Sequence, residues 1–509
     1  MQAQGSGTIA RCLRWGLLGV VCLWWGVACG RGPDDIHVPS SIPIATVPPT
    51  PTLHANLADG EATAQILPTL PPIMGNAAAG ERSIGDAYIP ELGNTGYLVQ
   101  QYIIRLNLNP ATPEVQGTTT IQAISTLDNL GEISLDFIGF QVTAVAADGT
   151  PAAFSREGAK LIVRLPFTVA ANKSFSLTIA YHGTPVNRAS PYLGDKVSRI
   201  GINYVNSTHL WAISQPDGAR YWFPANDHPR DKATFRFELT VPEGLTAVAN
   251  GNLIETRGGT MPGIAAANTF IWEHNYPMAT YLAVIAVGNY VRLENTSPGG
   301  IPLRHYIFPE RQTEFITTLD PIIGPALDWM AGYFGPYPFD TFGYVMAEIP
   351  KMSMETQTMA LLSTNTFNEV TTVHELSHMW FGNWVSLESW ADIWRNEGFA
   401  TYISLMWLTR DNPAQLEASV AGWRVPTSPT QPRLAPPAPA DFLGYNSYYA
   451  SAVLVHDLRL TMGDEAFFAG LRRYFDDYGG GTASQEEFQR VMEQSAGRSL
   501  DELFYLWLP

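Results

Sequence analysis

The sequence predicts an α+β fold, a sheet-rich half followed by a helix-rich half, and three observations carry that expectation. Apolar residues alternate with others at Tyr102, Ile104, Leu106 and Leu108, and again at Phe235, Phe237, Leu239 and Val241. That period of two turns one strand face into a core. From Pro302 onward the spacing becomes that of helices. Finally, 509 residues exceed what one hydrophobic core normally supports, and 46% hydrophobic with 11% aromatic content is enough to fill two.

In chain order, residues 1–29 read as a secretory leader, with Arg11 and Arg14 ahead of an apolar run from Trp15 to Ala28. The run is short for a membrane span. It ends in Gly26-Val27-Ala28-Cys29, which resembles a bacterial lipobox with Cys29 as the lipidated first residue of the mature chain. Gly26 stands where leucine is usual, and this leaves an uncleaved membrane anchor and ordinary leader cleavage open as alternatives. The expectation is an exported protein, lipid-anchored at the outer face of the bacterial cytoplasmic membrane or cell envelope. Residues 30–80 are rich in Pro, Thr and Ala, as in Val47-Pro-Pro-Thr-Pro-Thr52, and read as a tether.

Residues 81–295 should form an all-β domain. Phe175, Leu177, Ile179 and Tyr181 repeat the alternation, and Asp148-Gly149, Asn250-Gly251 and Gly258-Gly259 supply turns. Residues 296–509 should be mainly helical, with helices over 318–334, around His374, and over 396–409, 448–461 and 465–475. Two late helices are expected to start at the capping boxes Ser484-x-x-Glu487 and Ser499-x-x-Glu502.

The formal net charge of -17, without any basic run, excludes a nucleic-acid partner, because neutralising phosphates takes clustered Lys and Arg. All three cysteines, Cys12, Cys22 and Cys29, lie in the leader. The exported part therefore holds no disulfide and no thiolate metal ligand.

The chemistry is concentrated in His374-Glu375-Leu376-Ser377-His378 and in Asn396-Glu397-Gly398-Phe399-Ala400. On a helix, His374 and His378 share a face and can offer both imidazoles to one metal, with Glu375 beside them as a general base. A catalytic zinc keeps three protein ligands and one open position, and Glu397 is the expected third ligand. Cobalt and manganese suit the same donors; availability favours one zinc per chain.

The block from His374-Glu-Leu-Ser-His-Met-Trp-Phe-Gly-Asn383 through Trp394-Arg-Asn-Glu-Gly-Phe-Ala-Thr-Tyr402 resembles the gluzincin aminopeptidases of the aminopeptidase N and leukotriene hydrolase family. The resemblance spans roughly residues 90–509. It implies a saddle-like β domain followed by a thermolysin-like catalytic domain acting on peptides. Met352-Ser353-Met354-Glu355 is similar to the family's Gly-x-Met-Glu element, so Glu355 is implied to bind the substrate's amine and Met352, Ser353 and Met354 to take part in substrate binding, with Met352 in place of glycine. The loop Ser214-Gln215-Pro216-Asp217-Gly218 looks like the family's substrate-facing loop and implies the same role for Gln215. Tyr448 is implied to stabilise the oxyanion, in a segment where Ala450 and Ser451 replace the family's Lys and Gly, and Tyr445 and Tyr449 are rival candidates. Asp392 and Asn383 are candidates to orient the ligands; Trp380, Trp384, Trp390 and Trp394 should be core. The chain stops at Phe504-Tyr-Leu-Trp507-Leu-Pro509, where the family's catalytic domain normally ends, so an open cleft is expected. The leading expectation is an aminopeptidase; an endopeptidase and a non-catalytic peptide-binding lipoprotein are the alternatives. Oligomeric state is not legible.

Overall fold

The computed structural model describes residue 70 and residues 75–186, 188–193, 199–424 and 434–508. The leader with Cys29 and most of the 30–80 tether lie outside the described residues. The described residues belong to one compact unit.

An eight-stranded sheet organises the first half: β1 (Tyr97–Leu108), β2 (Val115–Ser125), β3 (Gln141–Ala147), β4 (Thr150–Pro151), β5 (Ser174–Gly183), β6 (Ala233–Pro242), β7 (Asn252–Met261) and β8 (Ile264–Met278). Their spatial order is β7-β8-β6-β1-β2-β5-β3-β4. Only β6 and β1 run parallel, and their register sets Phe235 beside Tyr102, Phe237 beside Ile104 and Leu239 beside Leu106. The two alternating runs that announced strands thus pack shoulder to shoulder, burying one continuous apolar face.

Past two smaller sheets in the first half, a four-stranded sheet of β9 (Val291–Thr296), β10 (Pro302–Ile307), β11 (Tyr344–Ala347) and β12 (Ala360–Ser363) leads into the helices. These are α1 (Gln312–Thr318), α2 (Asp320–Phe334), α3 (Glu369–Ser377), α4 (Ile393–Leu408), α5 (Pro413–Trp423), α6 (Ser451–Met462), α7 (Asp464–Tyr478), α8 (Gln485–Ala496) and α9 (Asp501–Trp507). Among the described residues no helix is long and apolar enough to cross a membrane.

Ser484 forms its capping box with Glu487. Ser499 does not form the expected one with Glu502. Leu500 is buried and its N–H donates to Glu493 of α8, 2.9 Å away, so the Ser499 hydroxyl meets the Asp501 N–H instead.

Two hydrophobic clusters meet along α4. Ile393 packs into the sheet-side cluster, which also takes in Trp390 and Phe442, while its neighbour Trp394 packs into the helical one with Trp380. Trp380, Trp390 and Trp394 are all buried core, as their spacing suggested, and Trp384 is partly buried.

Candidate active site

Asn368 opens α3 by accepting the Thr371 N–H, and this short helix places His374 and His378 one turn apart. Their Nε2 atoms are 3.2 Å from each other. Ser389 caps the 3₁₀ turn Trp390–Asp392 that starts α4, and the second turn of α4 brings Glu397 to them. Its Oε2 lies 3.3 Å from His374 Nε2 and 3.7 Å from His378 Nε2. A tetrahedral ion with ligand bonds near 2.0–2.1 Å needs ligand atoms about 3.3 Å apart, so this triangle has the size of a metal site. His378 Nδ1 faces the Phe381 carbonyl at 3.2 Å, which holds the ring proton there and leaves Nε2 as the lone-pair donor. Burial pulls His378 down to about 4, into the neutral ligand form.

Glu375 and Glu355 form a second cluster with His378. All three glutamates are buried: Glu355 is 3%, Glu375 5% and Glu397 2% exposed. Burial, then Glu355 and Glu397, pushes Glu375 well above the usual carboxylate range. Burial and Glu397 likewise raise Glu355 to about 8, against the bond from Gln215. Acids crowded in this way hold protons until a cation balances them, and a dication reverses the trend. The donor set and the charge therefore both fit a divalent metal.

Glu355 sits on the loop joining β11 to β12. Met354 pairs with Leu361 through both backbone groups at 2.9 Å, giving the loop a sheet edge to lie on. Gln215 Nε2 donates to Glu355 Oε1 at 2.8 Å, so the two residues implied to hold an amine are in contact. Asn383 Nδ2 donates to the Glu355 carbonyl at 2.7 Å. Past it, Thr358 adopts a φ of 63° and accepts the Gly251 N–H, while Asn250 donates to the Gln357 carbonyl. Met352 and Met354 pack in the sheet-side cluster, and the Ser353 hydroxyl bonds Thr366 and accepts the Ser363 N–H. In this structure Ser353 and Met354 support the loop, whereas Glu355 faces the ligand triangle.

Tyr448 comes from a π-helical turn, Asn446–Ala450, ahead of α6, instead of from the regular helix expected there. Such a turn inserts a residue and re-aims its side chains. The Tyr448 ring lies 5.8 Å from the His374 ring. Its rivals point elsewhere: Tyr445 is exposed and donates to the Trp423 carbonyl, and Tyr449 packs on Trp423.

Ser451 packs directly against Gly398 of α4. A Cβ on Gly398 would come within 2.6 Å of Ser451 Cβ and 3.0 Å of its carbonyl carbon. Overpacking against backbone costs roughly 1–3 kcal/mol, and alanine's better helix propensity returns at most about 1. Gly398→Ala should therefore lower the melting temperature and, by moving α4, weaken the Glu397 ligand. Melting curves and metal content after dialysis check this, and unchanged values for both reject the close-packing argument.

Of the two residues considered for orienting the ligands, Asp392 is instead bound to Arg395, whereas Asn383 acts on Glu355. Sequence reasoning missed Tyr281, whose hydroxyl donates to the Gly382 carbonyl and accepts from Asn396, the neighbour of Glu397. It also missed Lys232, which reaches the Asn383 and Trp384 carbonyls. Neither sits in a motif; each is identified only by its contacts.

Comparison with known proteins matches residues 99–282 to the peptidase M1 N-terminal domain and residues 325–507 to the peptidase family M1 domain. The chain is 28% identical over 339 residues to aminopeptidase M1-B of Oryza sativa subsp. japonica, covering 61% of this chain and 38% of that protein. It is 28% identical over 319 residues to the puromycin-sensitive aminopeptidase of Caenorhabditis elegans, covering 57% and 33%. The chain thus spans little more than a third of the length of the curated relatives it matches. An M1 zinc metallopeptidase from Deinococcus radiodurans superposes with a TM-score of 0.75 at 27% identity, covering 84% of this chain and 96% of that one. A mutant of that enzyme bound to a Tyr-Ser-Ala substrate gives 0.73 at 27% identity, covering 84% and 97%.

Proposed function

The chain belongs to the peptidase M1 family, the aminopeptidase N-like gluzincins, and from that membership we propose that it is a zinc-dependent aminopeptidase acting on peptides. The observation that carries the reading is the convergence of Glu355, held by Gln215, on the His374–His378–Glu397 triangle. A metal-binding triangle alone suits any hydrolase of this kind; a buried acid beside it adds a site for the ammonium of a free N-terminus.

In this reading His374, His378 and Glu397 hold one zinc, which when bound polarises the scissile carbonyl and acidifies water. Glu355 receives the substrate's ammonium and Gln215 fixes the carboxylate that does so. Glu375 takes the proton of the attacking water and hands it to the leaving amine. Tyr448 donates to the oxygen on which negative charge develops. Lipidation of Cys29 as a tether belongs to the proposal and rests on the leader's sequence.

The test is hydrolysis of a panel of aminoacyl p-nitroanilides, and of Tyr-Ser-Ala with and without an N-terminal acetyl group. Chelator-sensitive release from the free amines alone is the expected result. Cleavage of the acetylated peptide within its chain would show an endopeptidase instead.

A further inference from the structure

Lys232 precedes β6 and reaches across to the helical half. Its ammonium has three N–H donors, and they meet three backbone carbonyls: Asn383 at 2.8 Å, Trp384 at 3.0 Å and Gly481 at 3.2 Å. Two of these acceptors belong to the stretch that leaves the His378 turn, and the third belongs to the loop after α7. The same stretch is knotted to that loop elsewhere, for the Gly480 N–H donates to the Trp384 carbonyl and the Ser386 N–H to the Gly481 carbonyl.

Asn383 is the pivot. It is fully buried, its N–H donates to the His378 carbonyl at 3.1 Å, and its side-chain amide donates to the Glu355 carbonyl at 2.7 Å. A path of two hydrogen bonds therefore runs from Lys232 through Asn383 to the backbone of Glu355. From the other side, Glu355 is held by Gln215. Nothing in the stated mechanism uses Lys232; burial pulls it down to about 7, and in its protonated form the three bonds to carbonyls are charge-assisted.

We propose that Lys232 is a positioning residue for amine recognition: by clamping Asn383 it sets where Glu355 stands, while remaining remote from the reacting atoms. The proposal rests on the aminopeptidase reading. Loss of the ammonium takes one donor from each of three carbonyls, of which Trp384 and Gly481 keep a backbone N–H, and so loosens Asn383 and with it Glu355. His374 and Glu397 keep their supports in α3 and α4, and His378 keeps its Nδ1 contact to the Phe381 carbonyl, so metal binding should persist.

Binding without turnover isolates the effect. The full chain carrying Glu375→Gln is loaded with zinc and titrated calorimetrically with Tyr-Ser-Ala and with its N-acetyl derivative, with and without Lys232→Met. The expected result is a roughly tenfold weaker Kd for the free tripeptide, the lower end of what loss of an orienting partner costs. Binding of the acetylated peptide and a zinc content of one per chain should be unchanged. Lys232→Arg, which keeps the charge and is the variant to use if methionine does not fold, should show a smaller loss confined to the free peptide. Equal affinity in the presence and absence of the lysine overturns the assignment. An equal loss for both peptides also overturns it, since that is what general loosening produces. If the Glu375→Gln parent itself binds the two peptides alike, the aminopeptidase reading falls, and amine positioning with it.

Discussion

Glu375→Gln should lower kcat by about 100- to 10,000-fold, the usual range for removing a general base, while KM moves by less than about threefold. Glutamine has the same shape and retains an acceptor oxygen, so the change removes the ability to take up a proton and little else. The fold should tolerate it well. Burial, then Glu355 and Glu397, raises the proton affinity of Glu375, so an uncharged glutamine there meets no opposing charge. The melting temperature should therefore hold or rise as activity falls, the opposite of what a variant that disrupts folding would show. Zinc content is the third readout, because Glu375 is outside the His374–His378–Glu397 triangle and its loss should leave one ion per chain. Retention of near-normal kcat would remove Glu375 from the role of base and leave the buried cluster without a proton acceptor in the right place. Glu355 does not substitute for it, being bound to Gln215 at one carboxylate oxygen.

The proximity of His374, His378 and Glu397 was legible in the sequence because two of the three are neighbours one helical turn apart, where spacing alone dictates proximity. Glu397 was legible through its motif, and the structure brings it within reach by starting α4 at Ile393, three residues earlier than the expected 396. The strands were legible for a similar local reason, since alternation is a property of each run. What joins the two halves was not. Gln215 and Glu355 are 140 residues apart, Lys232 and Asn383 151, and Tyr281 and Asn396 115, and no periodicity connects such pairs. The resemblance supplied Gln215 and Glu355 separately but gave no reason for Lys232 or Tyr281. At Ser499 the local pattern pointed to a cap that tertiary structure prevents, because burial of Leu500 and its bond to Glu493 outweigh one hydroxyl. Tyr448 lies between these cases. Its segment was identifiable, but its direction depends on a π-helical turn that no spacing in the sequence announces.

Replacing that tyrosine with phenylalanine is the second large effect expected. Burial, then Glu397, Glu375 and Glu355, pushes the Tyr448 phenol far above its ordinary range, so at neutral pH it keeps its proton and can donate it. A donor aimed at charge that appears in the transition state is worth about 2.7–4 kcal/mol, or roughly 100- to 1,000-fold in kcat. The ring beside His374 is retained in Tyr448→Phe, so packing, zinc content and KM should change little. Tyr445→Phe is the matched control: its hydroxyl is bound to the Trp423 carbonyl at the surface, and kcat should be unaffected. If Tyr445→Phe proved the damaging change and Tyr448→Phe the silent one, the π-helical turn would have been assigned the wrong tyrosine. If both were silent, oxyanion stabilisation would have to come from the metal that the triangle would hold or from a backbone N–H. A fall in kcat at constant KM for Tyr448→Phe alone would tie the turn directly to the chemical step, because loss of an interaction made only in the transition state leaves ground-state binding as it was.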